Sequence, residues 1–119
     1  MAKNKIMKIY HNPRCSKSRE ALNIIESNNI KVKIINYIKT GLTINEIHEI
    51  LSKLDTDAIN IVRTKEKLWQ TKYKEKKMID DEIIRTIVEN PILLERPIVI
   101  TERKGVIGRP PENIRSLIN

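Results

Sequence analysis

The stretch IMKIYHNPRCSKSREAL, residues 6–22, places the single cysteine of the chain between an apolar run and a helix-like run. Residues 6–10 have the composition of a buried strand, and apolar side chains recur at helical spacing over the following segment, 16–29. Cys15 therefore falls where a predicted strand is followed by a predicted helix. A lone cysteine is most often a small buried hydrophobic residue, so its position needs a further explanation before a role is assigned.

Length and composition limit the class of protein. A chain of 119 residues fits one domain and is long enough to bury a core without disulfides. Its apolar runs are shorter than the roughly 18 residues that a membrane span needs, and the basic N-terminus lacks the apolar region of a signal peptide. One cysteine cannot form an internal disulfide, so we expect a cytoplasmic protein with a reduced thiol and no membrane association.

The net charge of +8 raises the question of an anionic partner. Much of the excess lies in residues 63–77, where Glu residues alternate with the Lys residues, and this pattern predicts a solvated helical segment. A nucleic-acid surface is the alternative, but one Trp and no Phe leave few side chains for base stacking. Two His and one Cys, which are not at ligand spacing, predict no metal site.

The remaining patterns predict the order of the elements. Strands are expected at 32–35, 97–101 and 105–107, and helices at 44–54, 55–62, 80–89 and 110–117. Thr43 followed by Glu46 predicts a capping box at the start of the helix 44–54. The order is β-α-β, a helical block, then β-β-α. It predicts an α/β fold of the thioredoxin-like class, a single domain over 1–119 with a mixed sheet and a helical insertion at about 43–95.

This order gives Cys15 a chemical setting. In a thioredoxin-like fold it lies at the N-terminus of the first helix, where unpaired N–H groups and the helix dipole stabilise a thiolate and lower its pKa from ~8.5 to ~7.5 or below. We expect Arg14, Lys17 and Arg19 to add positive charge, and the same N–H groups to hold an oxyanion. Ser18 completes a Cys-x-x-Ser motif, so any second thiol must come from another molecule.

Two blocks resemble a known family. IYHNPRCSKSREAL, residues 9–22, resembles the active-site loop of the glutaredoxin-coupled arsenate reductases, and ERPIVI…GVIGRPPENI, residues 95–114, is similar to their C-terminal half. The resemblance runs from residue 6 to residue 117. It implies a thioredoxin-like fold with a helical insertion and an enzyme that reduces arsenate to arsenite without a bound cofactor, with glutathione as co-substrate and glutaredoxin as partner.

The resemblance also implies roles for individual residues. Cys15 corresponds to the cysteine that attacks arsenate, and Arg63, Arg96 and Arg109 correspond to three arginines that hold the oxyanion. Guanidinium groups suit this role because they donate paired hydrogen bonds to oxyanions and keep their charge. Sequence spacing alone would leave each arginine as an ordinary surface charge.

The loop and the second block carry further correspondences. His11 and Ser18 match the loop histidine and serine of the family, and Arg19 completes the supporting loop. Pro97 matches a proline that is cis in thioredoxin-like folds. The loop reads Cys15-Ser16-Lys17-Ser18-Arg19, where the family usually has Cys-Gly-Thr-Ser-Arg, and this difference bears on how the loop wraps an oxyanion.

Two other functions fit part of the pattern. Spx-like transcription regulators share the fold, bind RNA polymerase and carry an Arg-Pro-Ile motif like residues 96–98, but they typically have a second cysteine where Ser18 stands. They also usually lack an arginine at the position of Arg109. A general glutathione-linked thiol oxidoreductase is the other alternative, since it needs the same activated thiolate and anion site.

Overall fold

The computed structural model describes residues 6–118, which form four strands, five α-helices and several short turns. The strands are β1 (Ile6–Tyr10), β2 (Lys31–Ile35), β3 (Ile98–Ile100) and β4 (Gly105–Ile107). The helices are α1 (Ser16–Ser27), α2 (Tyr37–Thr40), α3 (Ile44–Leu54), α4 (Asp80–Glu89) and α5 (Arg115–Ile118). This order confirms the predicted α/β fold class. The predicted domain limits, residues 1 and 119, lie outside the described residues.

The four strands form one mixed sheet in the order β2-β1-β3-β4. β1 runs parallel to β2, whereas β3 is antiparallel to both β1 and β4. The parallel pair β1 and β2 needs a crossover connection, which α1 supplies. The antiparallel pair β3 and β4 is joined by a tight turn in which Thr101 N–H donates to the Lys104 carbonyl at 2.7 Å. The β-α-β and β-β-α units of a thioredoxin-like fold are therefore both present.

Each face of the sheet has its own apolar core. α1 and the C-terminal turns cover one face, whose buried side chains include Met7, Ile9 and Val99. The insertion covers the other face, where Tyr10 and Ile98 pack against α3 and α4. Because neighbouring residues of a strand point to opposite faces, both sides of β1 and β3 are buried and the sheet is the middle of three layers.

The insertion differs from its prediction in detail. The predicted capping box is present: Glu46 N–H donates to Thr43 Oγ1 at 3.1 Å and Thr43 N–H to Glu46 Oε1 at 2.9 Å. The predicted helix 55–62 is only a 3₁₀ turn, Ala58–Ile61. The segment 63–77 holds one π-helical turn, Trp69–Tyr73, whose two aromatic rings are buried and lie 5.6 Å apart.

The prediction that 63–77 is a solvated segment is therefore wrong for its aromatic side. Trp69 and Tyr73 belong to the core of the insertion, and only the Lys-rich side faces solvent. The ammonium groups of Lys72 and Lys76 lie 5.7 and 5.4 Å from the Tyr73 ring centroid. Within residues 6–118, no helix has the length and hydropathy to cross a membrane.

Candidate active site

Four chain segments meet at one edge of the sheet. Tyr10, the last residue of β1, pairs with Ile35 at the end of β2 and with Ile98 at the start of β3, and Ile98 pairs with Ile107 at the end of β4. The segments after β1, after β2, before β3 and after β4 therefore all leave the sheet on the same side. This geometry brings the cysteine loop close to Arg96 and Arg109.

The cysteine loop places the thiol at the start of α1. Cys15 is the N-cap residue of this helix, with an extended backbone, and its N–H donates to the Asn12 carbonyl at 3.0 Å. The Asn12 side chain accepts from Arg14 N–H at 3.0 Å and closes the same turn. The backbone N–H groups of Ser18 and Lys17, in the first turn of α1, act on the sulfur and lower the pKa of Cys15. The predicted position of Cys15 at a helix N-terminus is confirmed.

The surroundings of Cys15 lower the pKa of its thiol. Burial by itself raises the pKa of Cys15, but the backbone N–H of Ser18 and the charge of Arg96 lower it. The N–H of Lys17 and the charge of Arg109 act in the same direction, and the net pKa lies below the ordinary value for a thiol. The half-buried sulfur is thus stabilised as an anion by the helix start and by two arginines from the other end of the chain.

Arg109 contacts the sulfur directly. Its Nη1 lies 3.7 Å from Cys15 Sγ and 3.5 Å from the carbonyl oxygen of Arg96. The Arg96 guanidinium is more buried, and its Nη1 lies 3.6 Å from Glu95 Oε1. Arg96 Nε is buried and has no hydrogen-bond acceptor among residues 6–118. Of the three predicted arginines, Arg109 therefore contacts the thiol, and Arg96 acts on it through its charge and has a donor without an acceptor.

Arg63 has a different setting. Its Nη2 lies 3.0 Å from Glu66 Oε2, and its Nη1 donates to the Ile92 carbonyl at 3.1 Å. Its backbone N–H donates to the Leu93 carbonyl, which fixes it beside the segment leading to Arg96. The structure places Arg63 near the site, but it gives no contact between Arg63 and Cys15. Glu66 was not predicted as part of the site.

His11 and Ser18 support the loop from inside. Both are buried, and His11 Nδ1 lies 2.6 Å from Ser18 Oγ, which also accepts from Asn12 N–H at 3.1 Å. Burial lowers the pKa of His11, and the charge of Arg19 lowers it further. A neutral imidazole therefore links the loop to α1 and holds the turn that carries Cys15.

The cations next to Cys15 in sequence have other partners. Arg19 Nη1 donates to the Pro13 carbonyl at 2.9 Å, which ties the loop to α1. Lys17 Nζ lies 3.7 Å from Glu20 Oε2, and Arg14 is exposed. The structure gives no contact between these three side chains and the sulfur. The side chains that lower its pKa are instead the distant Arg96 and Arg109.

The family of the protein follows from comparison with known sequences. The ArsC family model matches residues 10–117, which include the cysteine loop and all three arginines. The chain belongs to the ArsC family. It is 39% identical over 114 residues to the arsenate reductase of Neisseria meningitidis serogroup A, an alignment that covers 94% of this chain and 97% of the relative. The resemblance seen in the sequence is thereby confirmed.

Solved structures support the same grouping. The arsenate reductase from Vibrio cholerae superposes with a TM-score of 0.89 at 33% identity, covering 96% of this chain and 98% of the other. A putative arsenate reductase from Yersinia pestis gives 0.87 at 40% identity, covering 92% and 98%. The thioredoxin-like architecture described above is therefore that of the ArsC family.

Two features of this ArsC-family site lie in residues 95–114. The Arg96–Pro97 and Arg109–Pro110 peptide bonds are both cis. Gly108 N–H donates to the Pro97 carbonyl at 2.8 Å, and a Cβ at Gly108 would lie only 2.9 Å from Pro97 Cγ. The glycine therefore lets the chain after β4 approach Pro97 closely enough to present Arg109 to the thiol.

A groove adjoins the ArsC-family site on the side of β4. Its volume is about 520 Å³, and it runs between the end of α3 and the edge strand. Arg109, which contacts the thiol, is part of its lining, and Asn60 and Asn113 supply amide groups to it. Across residues 6–118, no group of three or more His, Cys, Asp or Glu side chains is arranged to hold a metal ion.

Sequence reasoning missed Tyr37, the first residue of α2. Its side chain is fully buried, and its hydroxyl has no hydrogen-bond partner within residues 6–118. The one available signal was its position two residues after the end of β2, since ligands of α/β proteins bind beyond the carboxyl ends of parallel strands.

Proposed function

We propose that this ArsC-family protein reduces arsenate to arsenite, with Cys15 as the nucleophile. The observation that carries the proposal is the thiol at the start of α1, whose sulfur lies 3.7 Å from Arg109 Nη1 and whose pKa is lowered by Arg96 and Arg109 together with the loop N–H groups. Relatives that align over nearly the whole chain bear the name arsenate reductase.

The arrangement suits attack on an oxyanion. A thiolate and arsenate repel each other, so the site must offset negative charge on both reactants. Arg96 and Arg109 can do this because the charges of both act on the thiol, and Arg109 Nη1 also lies 3.5 Å from the Arg96 carbonyl oxygen. Donors that are fixed before the reaction stabilise the charge that develops as an oxygen leaves. Arg63 would join them only when an incoming oxyanion displaces Glu66.

The reaction balances with two external thiols. Cys15 sulfur bonds to arsenic and an oxygen leaves as water, with no change in oxidation state. Glutathione sulfur then bonds to arsenic as a second oxygen leaves as water. A glutaredoxin thiolate attacks the glutathione sulfur and forms a mixed disulfide with it. The bond from glutathione sulfur to arsenic breaks, and its electron pair reduces As(V) to As(III). Water finally cleaves the bond from arsenic to Cys15, and arsenite is released.

External thiols are required because Cys15 has no partner in the chain. The position of a second cysteine in a Cys-x-x-Cys switch is taken by Ser18, whose hydroxyl is buried and bonded to His11. This argues against the Spx-like alternative, in which RNA polymerase is the partner. The groove beside Arg109 has the volume of a small-ligand site and is lined by amide groups suited to the peptide bonds of glutathione. A cytoplasmic location supplies both thiols.

The test is a coupled assay of arsenate reduction with glutathione, glutaredoxin, glutathione reductase and NADPH. We expect wild type to turn over and Cys15→Ser to lose all activity. Arg109→Lys should lower kcat/KM by a factor of ~30 to ~1000, since one charge-assisted contact in the transition state contributes ~2–4 kcal/mol. Arg103→Lys is the matched control, because Arg103 lies in the turn between β3 and β4, and its rate should equal that of wild type.

Two results would contradict the proposal. A wild-type protein inactive with glutaredoxin, and also with thioredoxin in its place, would exclude arsenate reduction by this route. Retention of the rate in Cys15→Ser would show that the reaction does not pass through this thiol. Activity with thioredoxin but not with glutaredoxin would support Cys15 as the nucleophile and would contradict glutathione and glutaredoxin as the reductants.

A further inference from the structure

Tyr37 occupies the fourth chain segment at the active edge of the sheet. The other three segments carry the cysteine loop, Arg96 and Arg109. The loop and the start of α2 are tied together, because His11 N–H donates to the Ile35 carbonyl at 2.8 Å. Asn36 then caps α2 by accepting from Lys39 N–H, and Tyr37 follows as its first residue. The side chain of Tyr37 is thus directed from the end of β2 into a position that is 0% exposed.

The Tyr37 hydroxyl lies among the charged groups of the site. Burial raises its pKa to about 12, and four ionic groups act on it as well. Arg63 and Arg96 favour the phenolate, whereas a Cys15 thiolate and Glu95 oppose it. The groups that act on the hydroxyl therefore include the thiol and two of the predicted oxyanion-binding arginines. At neutral pH it keeps its proton and can act as a hydrogen-bond donor.

Folding does not explain this hydroxyl. Tyr37 Oη and Arg96 Nε are both buried donors without an acceptor among residues 6–118. A buried donor left unpaired destabilises the folded protein, and phenylalanine would fill the same volume without this cost. The other fully buried tyrosine differs, because the Tyr10 hydroxyl lies 3.5 Å from Glu46 Oε2.

We propose that the Tyr37 hydroxyl is a substrate-binding group that donates a hydrogen bond to an oxygen of the bound oxyanion, next to Arg96. The Tyr37 hydroxyl and Arg96 Nε are two buried donors without an acceptor among residues 6–118, and a ligand that presents hydrogen-bond acceptors would pair with both. The unprotonated oxygens of a tetrahedral oxyanion are such acceptors: Cys15 attacks its central atom while Arg96 and Tyr37 hold oxygens that stay attached. The inference rests on the proposed function, since the oxyanion that it binds is the one attacked by the thiol.

The experiment compares Tyr37→Phe with Tyr10→Phe, the same change at the second fully buried tyrosine. Two quantities are measured: the Kd for phosphate, a tetrahedral anion that is not reduced, by calorimetry, and kcat/KM for arsenate in the coupled assay. Tyr37→Phe should weaken phosphate binding and lower kcat/KM by about tenfold to a hundredfold, as expected for a donor to a charged acceptor. Its Tm should equal or exceed that of wild type. Tyr10→Phe should keep both the wild-type Kd and the wild-type kcat/KM.

The outcomes separate this inference from the proposed function. Unchanged Kd and kcat/KM in Tyr37→Phe would overturn the role of the hydroxyl and leave arsenate reduction intact. A wild type that binds phosphate without reducing arsenate, combined with weaker binding by Tyr37→Phe, would overturn the proposed reaction and support the hydroxyl as an anion ligand. Equal loss in both variants would mean that any buried hydroxyl matters for folding, and would overturn the specific role.

A measurement on the intact protein covers the case in which Tyr37→Phe does not fold. The chain has three tyrosines, so wild type labelled with 3-fluorotyrosine gives three ¹⁹F resonances. Tyr10→Phe and Tyr73→Phe assign two of them, and the third belongs to Tyr37. Phosphate should shift the Tyr37 resonance by more than the other two. A Tyr37 resonance that does not move at saturating phosphate would refute the contact.

Discussion

The charge of Arg109 should set a measurable part of the reactivity of Cys15. Replacing Arg109 with glutamine removes the charge and keeps a polar side chain beside Cys15. Arg109 Nη1 lies 3.7 Å from the sulfur, and its charge lowers the pKa of the thiol. We therefore expect Arg109→Gln to raise the pKa of Cys15 and to reduce the thiolate present at neutral pH.

The size of the effect follows from the distance and the exposure. Two unit charges about 4 Å apart interact by ~1 kcal/mol in a water-like dielectric and by ~4 kcal/mol near a protein surface. Arg109 is exposed, so solvent screens its charge and the lower value applies. About 1 kcal/mol raises the pKa by roughly 0.7, because one pKa unit is ~1.36 kcal/mol. Below both pKa values the thiolate fraction then falls about fivefold.

The assay is the rate of alkylation by iodoacetamide as a function of pH. The inflection is the quantity to compare, because the intrinsic nucleophilicity of a thiolate changes with its pKa. Arg96→Gln should move the inflection further than Arg109→Gln, since Arg96 has the larger effect on the pKa and a side chain that is only 18% exposed. Arg103→Gln should leave it unchanged. Equal inflections in all three variants would refute the assignment of the thiolate to these two arginines.

Two further outcomes test the support of the loop. Ser18→Ala should lower the free energy of unfolding in urea by about 1–3 kcal/mol, because it leaves the buried His11 imidazole and the part-buried Asn12 N–H without their partner. Ser116→Ala, at an exposed hydroxyl, should change it by less than ~0.5 kcal/mol. The pKa of His11 is lowered in the folded protein, so near and below pH ~6.5 the unfolded chain binds more protons than the folded one. The free energy of unfolding should therefore fall as the pH decreases through ~6.5. His11→Gln should remove this step, and His48→Gln, at an exposed histidine, should retain it.

The sheet was predictable because its signals are local. An apolar run of five residues gave β1 at its observed bounds, and the order of the elements then defined the β-α-β and β-β-α units. The shorter elements of the insertion were not predictable in the same way. A helix of four residues, such as Tyr37–Thr40, contains barely one turn and has no periodicity to detect. The π-helical turn at Trp69–Tyr73 is stabilised by packing of its two aromatic rings in the core. The many Lys residues around these rings favour the prediction of a solvent-exposed segment instead.

The electrostatics of the thiol show where local reasoning fails. Lys17 lies two residues from Cys15, yet it pairs with Glu20 on the outside of α1. Arg109 is 94 residues away and contacts the sulfur, because β4 ends at the same edge of the sheet at which β1 ends. Sequence separation alone would therefore assign Lys17 to the thiol. The register of the strands instead brings Arg109 to the sulfur.

The three arginines matched by resemblance are not equivalent in the fold, and the difference has a chemical meaning. Arg96 Nε is a buried donor without an acceptor among residues 6–118, and Arg109 contacts the sulfur, as the proposed anion-binding role requires. Arg63 Nη2 lies 3.0 Å from Glu66 Oε2, a closer ion pair than that of Arg96 Nη1 with Glu95 Oε1 at 3.6 Å. An oxyanion that recruits Arg63 must compete with this carboxylate, and a doubly charged anion competes better than a singly charged one. The Arg63–Glu66 pair would therefore make the site discriminate between anions by charge, a property that no single residue of the motif reveals.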